Sequence, residues 1–265
     1  MCRLTNGQNR AGSVVDLKRV GRIELRTVNA ISEFYGRDFI PYPFMVRDPV
    51  HSALQAEDAD SAPDRFNHGD LRIFKQWFTT YMSADIRVEC NVQYLGADTP
   101  SLRIMGHRSG EFGFLATQHV DDAVEVFALS PYQVGAAVAG SVKPTKPGKH
   151  SKIIIPEYIP RRSRPVDDPG TPFSVPIITS TAAVKVPESD VTVYATVQSH
   201  WQPARNWGID RTKDTVVWVR VDDDGDYIYV PDYSHAKPMT VRDLRDGIDR
   251  LIGQDVSSLK TFRNG

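Results

Sequence analysis

Asp85-Ile86-Arg87-Val88-Glu89-Cys90-Asn91-Val92-Gln93-Tyr94 alternates without a break. Ile86, Val88, Cys90, Val92 and Tyr94 share one parity; Arg87, Glu89, Asn91 and Gln93 share the other. Successive side chains of a strand point to opposite faces, so this period of two marks a strand buried on one face and wet on the other. Downstream, Ala97-Asp98-Thr99-Pro100 turns the chain. Leu102–His107, Phe112–Thr117 and Val124–Leu129 supply three more strands through short links rich in Gly, Ser and Asp, which reads as an antiparallel meander. Ser130-Pro131 then opens a helix, with the hydroxyl as cap and proline in the first helical position. That helix contains Val134, Ala137 and Val138 and fades at Gly140.

Upstream, Leu71, Phe74, Trp77, Phe78 and Tyr81 recur at spacings of three and four, predicting a helix from Asp70 to about Tyr81. Pro41 and Pro43 hold Phe39–Phe44 extended. Before them, Arg22–Arg26 alternates as a short strand. Thr27 caps a helix that carries Val28, Ala30, Ile31 and Phe34 and stops at Gly36.

The second half repeats the design. Val191, Val193, Ala195 and Val197 alternate, Thr215–Val221 and Tyr227–Val230 form a hairpin, and Thr240-Val241-Arg242-Asp243 resembles a capping box. Leu244, Ile248, Leu251 and Ile252 form the inner face of the closing helix. A meander followed by a helix, twice over, predicts an α+β fold: antiparallel β-meanders with flanking helices in two pseudo-symmetric halves. The expected organisation is one integrated domain, with a flexible leader at 1–20, an N-terminal half at 21–142, a Pro-rich basic excursion at 143–187 and a C-terminal half at 188–265. Nine of the 18 prolines fall in 143–187, a density expected of a surface excursion and not of a core element.

The 265 residues carry 32 basic and 33 acidic side chains, a formal charge of −1. A protein that works by blanketing phosphates carries a basic excess, so a nucleic-acid coat is disfavoured. No run approaches the 18 apolar residues of a membrane span, and the start lacks the apolar core of a signal peptide. Two cysteines, Cys2 and Cys90, make neither a disulfide framework nor a metal set. A cytoplasmic setting follows as the expectation.

The search for catalytic chemistry returns little. Asp222-Asp223-Asp224-Gly225-Asp226 begins like a calcium loop, but the distal Glu is missing and Asp-Gly between two strands is a hairpin signal, so the turn is the better reading. Gly106-His107-Arg108-Ser109-Gly110 has the wrong spacing for a nucleophile elbow. Gly110–Leu115 is a broken version of an RNA-stacking strand, better read as core aromatics. His107, Glu111 and His119 lie on strands and loops at irregular spacing, and the histidines read as exposed loop residues, not metal ligands. No phosphate-cradling glycine motif follows a strand. No enzyme, cofactor or metal is expected.

Two features remain open. Lys143, Lys146, Lys149, Lys152, Arg161, Arg162 and Arg164 set seven positive charges against Glu157. They form either a solvated linker or the docking site of an acidic partner or polyanion, which would make the protein an anion- or nucleic-acid-binding module acting through 143–164. His200–Gly208 holds Trp201, Arg205 and Trp207, which are either interface anchors or a loop folded back on the core.

The ordered pattern resembles the EspG family, the cytosolic chaperones of type VII (ESX) secretion in mycobacteria and other actinobacteria. The likeness rests on Ile23-Glu24-Leu25-Arg26-Thr27-Val28 with its short helix, Gly36-Arg37, and Pro41-Tyr42-Pro43-Phe44. It continues through the strand Asp85–Tyr94, the meander with Ser130-Pro131-Tyr132, Val216-Val217-Trp218-Val219, the Asp-Gly hairpin, Tyr227-Ile228-Tyr229-Val230 and the helix Thr240–Ile252. The resemblance implies a pseudo-two-fold α+β fold without enzymatic activity. It also implies binding of the helical tip of PE–PPE heterodimers, which are kept soluble and delivered to the secretion machine. The chain departs from the family where 143–187 replaces further helices. An amphipathic tip is shielded by laying its apolar residues on a preformed groove, which needs no nucleophile. Side-chain chemistry nominates Arg87, Glu89 and Gln93 for hydrogen bonds to such a partner, and Trp201, Trp207 and Tyr229 as ring anchors.

Overall fold

The computed structural model describes residues 15–37, 40–47, 61–96, 98–158, 183–201 and 208–264. In chain order the elements are β1 (Lys18–Glu24), α1 (Leu25–Phe34), α2 (Ala62–His68), a 3-10 turn (Asp70–Phe74), α3 (Lys75–Met82), β2 (Ile86–Tyr94), β3 (Leu102–Ser109), β4 (Phe112–Gln118) and β5 (Ala123–Leu129). There follow α4 (Val134–Val142), β6 (Ile153–Ile154), β7 (Val184–Lys185), β8 (Val191–His200), β9 (Val216–Val221), β10 (Gly225–Tyr229), β11 (Ala236–Pro238) and α5 (Val241–Asn264). The fold is α+β, with one large mixed sheet and several helices.

The described strands form a single eleven-stranded sheet in the order β1-β5-β4-β3-β2-β8-β9-β10-β11-β6-β7. Every neighbouring pair is antiparallel except β6 with β7. The predicted meander is β2 to β5, and the later hairpin extends to a second meander, β8 to β11. Their first strands pair at the centre of the sheet, in register from Arg87↔His200 to Tyr94↔Val193.

On one face the apolar parity of β2 meets Leu102, Ile104, Leu115, Val193, Ala195, Val197, Val216 and Trp218, under α4 and α5. The other face carries two separate cores. At one end Met105, Phe114, Ala116, Val124 and Val126 pack beneath α1, α2 and α3, with Phe66, Phe74, Trp77 and Phe78 inside. At the other, Val217, Val219, Val221, Tyr227 and Tyr229 pack against Ile153, Ile155 and Val186. Full burial of one such aliphatic or aromatic side chain contributes about 1.5–3 kcal/mol, so each core holds its elements to the sheet without help from propensity.

Several local expectations shift for identifiable reasons. α1 begins at Leu25, with Glu24 and not Thr27 in the capping position. Leu25, Val28 and Ile31 are all buried, and that spacing of three pulls the start of the helix back by three residues. The Ser130 hydroxyl accepts no capping bond; Pro131 starts a 3-10 turn and α4 runs past Gly140 to Val142, ending where Lys143 adopts a left-handed conformation. The Asp70–Tyr81 helix is divided into a 3-10 turn and α3, but its stripe of Leu71, Phe74, Trp77 and Phe78 is buried as read.

Two expectations are overturned. The polar parity of β2 is not wet along its length: Arg87 and Glu89 are buried, and only its far end, at Gln93, is exposed. The described part of 143–187 is not a loose excursion either, because Ile153, Ile155 and Val186 belong to the third core. The Asp222–Asp224 turn holds this segment down. Asp226, wholly buried, accepts bonds from Thr145 N (2.6 Å) and Thr145 Oγ1 (3.1 Å) while pairing with Arg220 Nε at 2.6 Å. Asp224 accepts from Lys149 N (2.7 Å) and Tyr227 Oη (2.6 Å), and the Lys149 ammonium reaches the Asp223 carbonyl. The basic stretch thus meets the chain's own acidic turn.

Candidate functional site

Between the two cores of that second face lie the central strands β2 and β8, and here the sheet is polar. Arg87 is in register with His107 of β3 on one side and His200 of β8 on the other, a cross-strand row of three cationic or potentially cationic groups. Glu89, two residues along the same face, neutralises it: its Oε1 lies 2.7 Å from Arg87 Nε and its Oε2 lies 3.3 Å from His200 Nε2. Arg87 and Glu89 retain only 4% and 2% of their exposure, so water screens this pair very little. A buried pair costs desolvation of both charges, and losing one partner leaves the other uncompensated.

The surroundings hold the cluster in place. The Arg87 guanidinium lies 5.6 Å from the centre of the Tyr81 ring, and its Nη1 donates to Tyr81 Oη at 3.5 Å. Burial raises the Tyr81 phenol against the opposing pull of Arg87. Burial, reinforced by the Glu89 charge, pushes the Tyr42 phenol up to about 12. His107 is completely enclosed, stacked on Phe114 with ring centres 5.7 Å apart, and burial pushes its pKa down to about 3. Its Nε2 lies 3.1 Å from the Trp77 carbonyl. A carbonyl can only accept, so Nε2 carries the proton of the neutral ring and Nδ1 is the unprotonated nitrogen.

Chemically this cluster is an arrangement of opposite charges that orients its side chains across three strands. Cys90 points to the opposite face, where burial pushes its thiol up to about 12, far from a thiolate at neutral pH. The carboxylate of Glu89 faces the Arg87 guanidinium and the His200 imidazole. Among the described residues no group of three or more His, Cys, Asp or Glu side chains could hold a metal ion. No helix among them is long and apolar enough to cross a membrane.

The residues nominated from sequence are therefore dispersed. Arg87 and Glu89 form the sealed end of the polar strip. Gln93, in register with Tyr194, lies on the same face about 13 Å further along β2 and is exposed. Tyr229 is buried in the third core, where desolvation raises its phenol. Trp201 is half-buried and packs on Phe262 of α5 with ring centres 5.3 Å apart. Trp207 lies outside the described residues, as do Arg161, Arg162 and Arg164.

His107 and His200 are the members that sequence reasoning missed. Both are buried, contrary to the expectation for His107 as an exposed histidine. A signal existed for His107, since Arg103, Met105 and His107 share a parity in β3 and register places them beside Asn91, Glu89 and Arg87. Nothing local marks His200. Gln198, in register with Glu89, was missed as well; its side chain spans to the 208–215 loop, donating to Asp210 O (2.7 Å) and Thr215 Oγ1 (2.8 Å).

No protein-family model matches the chain, and no curated protein matches it by sequence. Among solved structures it is similar to the Mycobacterium tuberculosis type VII secretion system chaperone EspG5 in complex with a PE25–PPE41 dimer. The TM-score is 0.48 and the sequence identity 8%, over 87% of this chain and 95% of that one.

Proposed function

We propose that this protein is a non-enzymatic, cytoplasmic chaperone of the EspG type, which binds helical secreted substrates resembling PE–PPE heterodimers and keeps them soluble for type VII secretion in an actinobacterium. The observation that carries the reading is the polar strip on β2 and β8. It is floored by the two central strands and flanked by α1–α3 on one side and by the 153–158 and 183–186 segments on the other. It is pinned at one end by Arg87, Glu89 and His200, and open at the other around Gln93 and Tyr194.

A floor with an exposed amide at Gln93 and a half-buried phenol at Tyr194 suits the docking of a helical tip, whose apolar residues would meet the flanking walls. The absence of a poised nucleophile among the described residues accords with a holding role. The sequence resemblance supports the same reading. So does the arrangement of two meanders, each followed by a helix, whose first strands pair at the sheet centre; we read these as pseudo-symmetric halves at 21–142 and 188–265, joined by 143–187.

In this reading Gln93 and Tyr194 touch the partner directly and Arg87 and Glu89 act by holding the floor, while Trp201 packs on α5 on the opposite face and takes no part. The test is titration of a purified PE–PPE heterodimer from the host's own secretion locus into this protein, with Gln93→Arg as the control. A one-to-one complex weakened about tenfold or more by the variant supports the reading. Failure of every such pair to bind overturns it.

A further inference from the structure

Among the described residues the buried Arg, Asp and Glu side chains are Arg87, Glu89, Arg103, Asp224, Asp226 and Asp255. All but one are answered within the chain. Arg87 pairs with Glu89, Asp226 with Arg220, and Asp255 with Lys213 at 2.7 Å, while Asp224 accepts from Tyr227 Oη and Lys149 N. Arg103 is the exception. It keeps 8% of its exposure, it forms no ion pair among the described residues, and its Nη1 is buried with no hydrogen-bond partner. A buried charge without a counter-charge is costly, so this guanidinium points to an anion that the chain itself does not supply.

Its place ties it to the polar strip. Register sets Arg103 of β3 beside Asn91 of β2, which faces Thr196 of β8. This row lies between the row of Glu89 and the row of Gln93, midway from the sealed end to the open end. Asn91 leaves its own Oδ1 buried without a partner, so neither neighbour is satisfied within the row. Burial, together with the Arg47 charge, holds the Arg103 pKa below the ordinary arginine value.

The unsealed part of the guanidinium has a definite shape. Nη1 is the sealed nitrogen, and Nε with Nη2 forms one edge that suits two parallel hydrogen bonds. Three other arginines of this chain hold a carboxylate on that same edge. Arg19 holds Glu125 at 3.0 and 3.1 Å, Arg65 holds Asp70 at 3.0 and 2.8 Å, and Arg220 holds Asp226 at 2.6 and 3.2 Å. Arg47 adds charge but no second fork, because its guanidinium donates to the carbonyls of Ser101, His119 and Val120. One fork and one charge match a carboxylate; a phosphate, with more charge and more acceptors, calls for more donors.

We propose that Arg103 anchors a carboxylate site in the floor of the strip, filled by an aspartate or glutamate side chain of the helical partner. The site stands on the Arg103 geometry alone, whereas the identity of its occupant rests on the chaperone reading. Gln93→Arg obstructs the floor and keeps the guanidinium; Arg103→Met removes the guanidinium and adds no bulk.

The probe for the site is acetate, titrated into the ¹⁵N-labelled full chain and followed through the arginine Nε–H signals in NMR. The Arg103 signal is the one lost in Arg103→Met. The expected result is a saturable shift of that signal which sodium chloride at equal ionic strength does not reproduce. The unfolding midpoint of Arg103→Met should equal or exceed that of wild type, since methionine replaces an uncompensated buried charge. No acetate-specific shift, a response to phosphate and not to acetate, or a midpoint lower by about 5 °C or more overturns the site. The occupant is read by titration with a PE–PPE heterodimer, which Arg103→Met should bind about tenfold more weakly than wild type does. Equal binding overturns the partner's carboxylate as occupant and leaves the chaperone reading standing. Failure of wild type to bind any such pair overturns that reading and this occupant together, while the acetate titration still decides the site.

Discussion

Arg87 and His200 face each other across the two central strands, and both turn to one carboxylate, Glu89, at 2.7 and 3.3 Å. The two residues are 113 positions apart in sequence. Their shared acceptor couples the strand that begins the first meander to the strand that begins the second.

Glu89→Ala should therefore cost more than an average core substitution. It leaves the Arg87 guanidinium buried without a counter-charge, an effect of about 3–5 kcal/mol. Urea unfolding measures it. The double variant Arg87→Met with Glu89→Leu removes both charges and should recover most of the loss. A single variant within about 0.5 kcal/mol of wild type would show that the pair does not hold the strands together.

Acid should act early on this fold through His107. Its folded pKa is about 3, below the ordinary value of 6.5. Between those values the unfolded chain binds a proton that the folded chain refuses. Stability therefore rises with pH across that window and falls as pH drops from about 6.5 towards 3, by up to ~1.4 kcal/mol per unit. His107→Gln keeps a neutral polar ring-sized group and should flatten this slope in urea titrations at pH 4, 5, 6 and 7. An unchanged slope contradicts the assignment.

Asp226 should prove to be the anchor of the basic segment. It accepts from Thr145 N and Oγ1 and pairs with Arg220, with no exposure of its own. Asp226→Ala breaks all of these contacts and leaves the Arg220 charge partly buried, for a loss of about 3–5 kcal/mol. Amide hydrogen exchange should accelerate in residues 145–150 in particular. Unchanged protection there would mean that Ile153 and Ile155 hold the segment by themselves.

The legible part of this molecule is what local pattern controls. The alternation in Asp85–Tyr94 fixes β2, the three-and-four spacing from Leu71 to Phe78 fixes the buried stripe of the 3-10 turn and α3, and Asp222–Asp224 turn the hairpin whose second strand opens at Gly225. What local pattern cannot show is what covers a face. Arg87 and Glu89 look like solvent-facing residues of a half-buried strand until Tyr81 and His200 close over them, and neither is marked by its neighbours. The prolines of 143–187 point to a surface excursion, yet in its described part Pro147 forms a bridge with Asp226 and Ile153 joins the sheet. A proline-rich segment becomes part of the core when an acidic turn some 80 residues later satisfies its amides. The nominated anchors show the same limit: the exposure of Gln93 and the burial of Tyr229 are decided by sheet order, which parity alone does not contain.

In the proposed function the β2–β8 strip receives a helical secreted partner. Isothermal titration of the purified protein with a purified PE–PPE heterodimer is the decisive test, with wild type and Gln93→Arg run side by side. The expected result is saturable one-to-one binding that the arginine weakens about tenfold or more while leaving thermal stability unchanged. No binding, or binding that Gln93→Arg leaves intact, would contradict it.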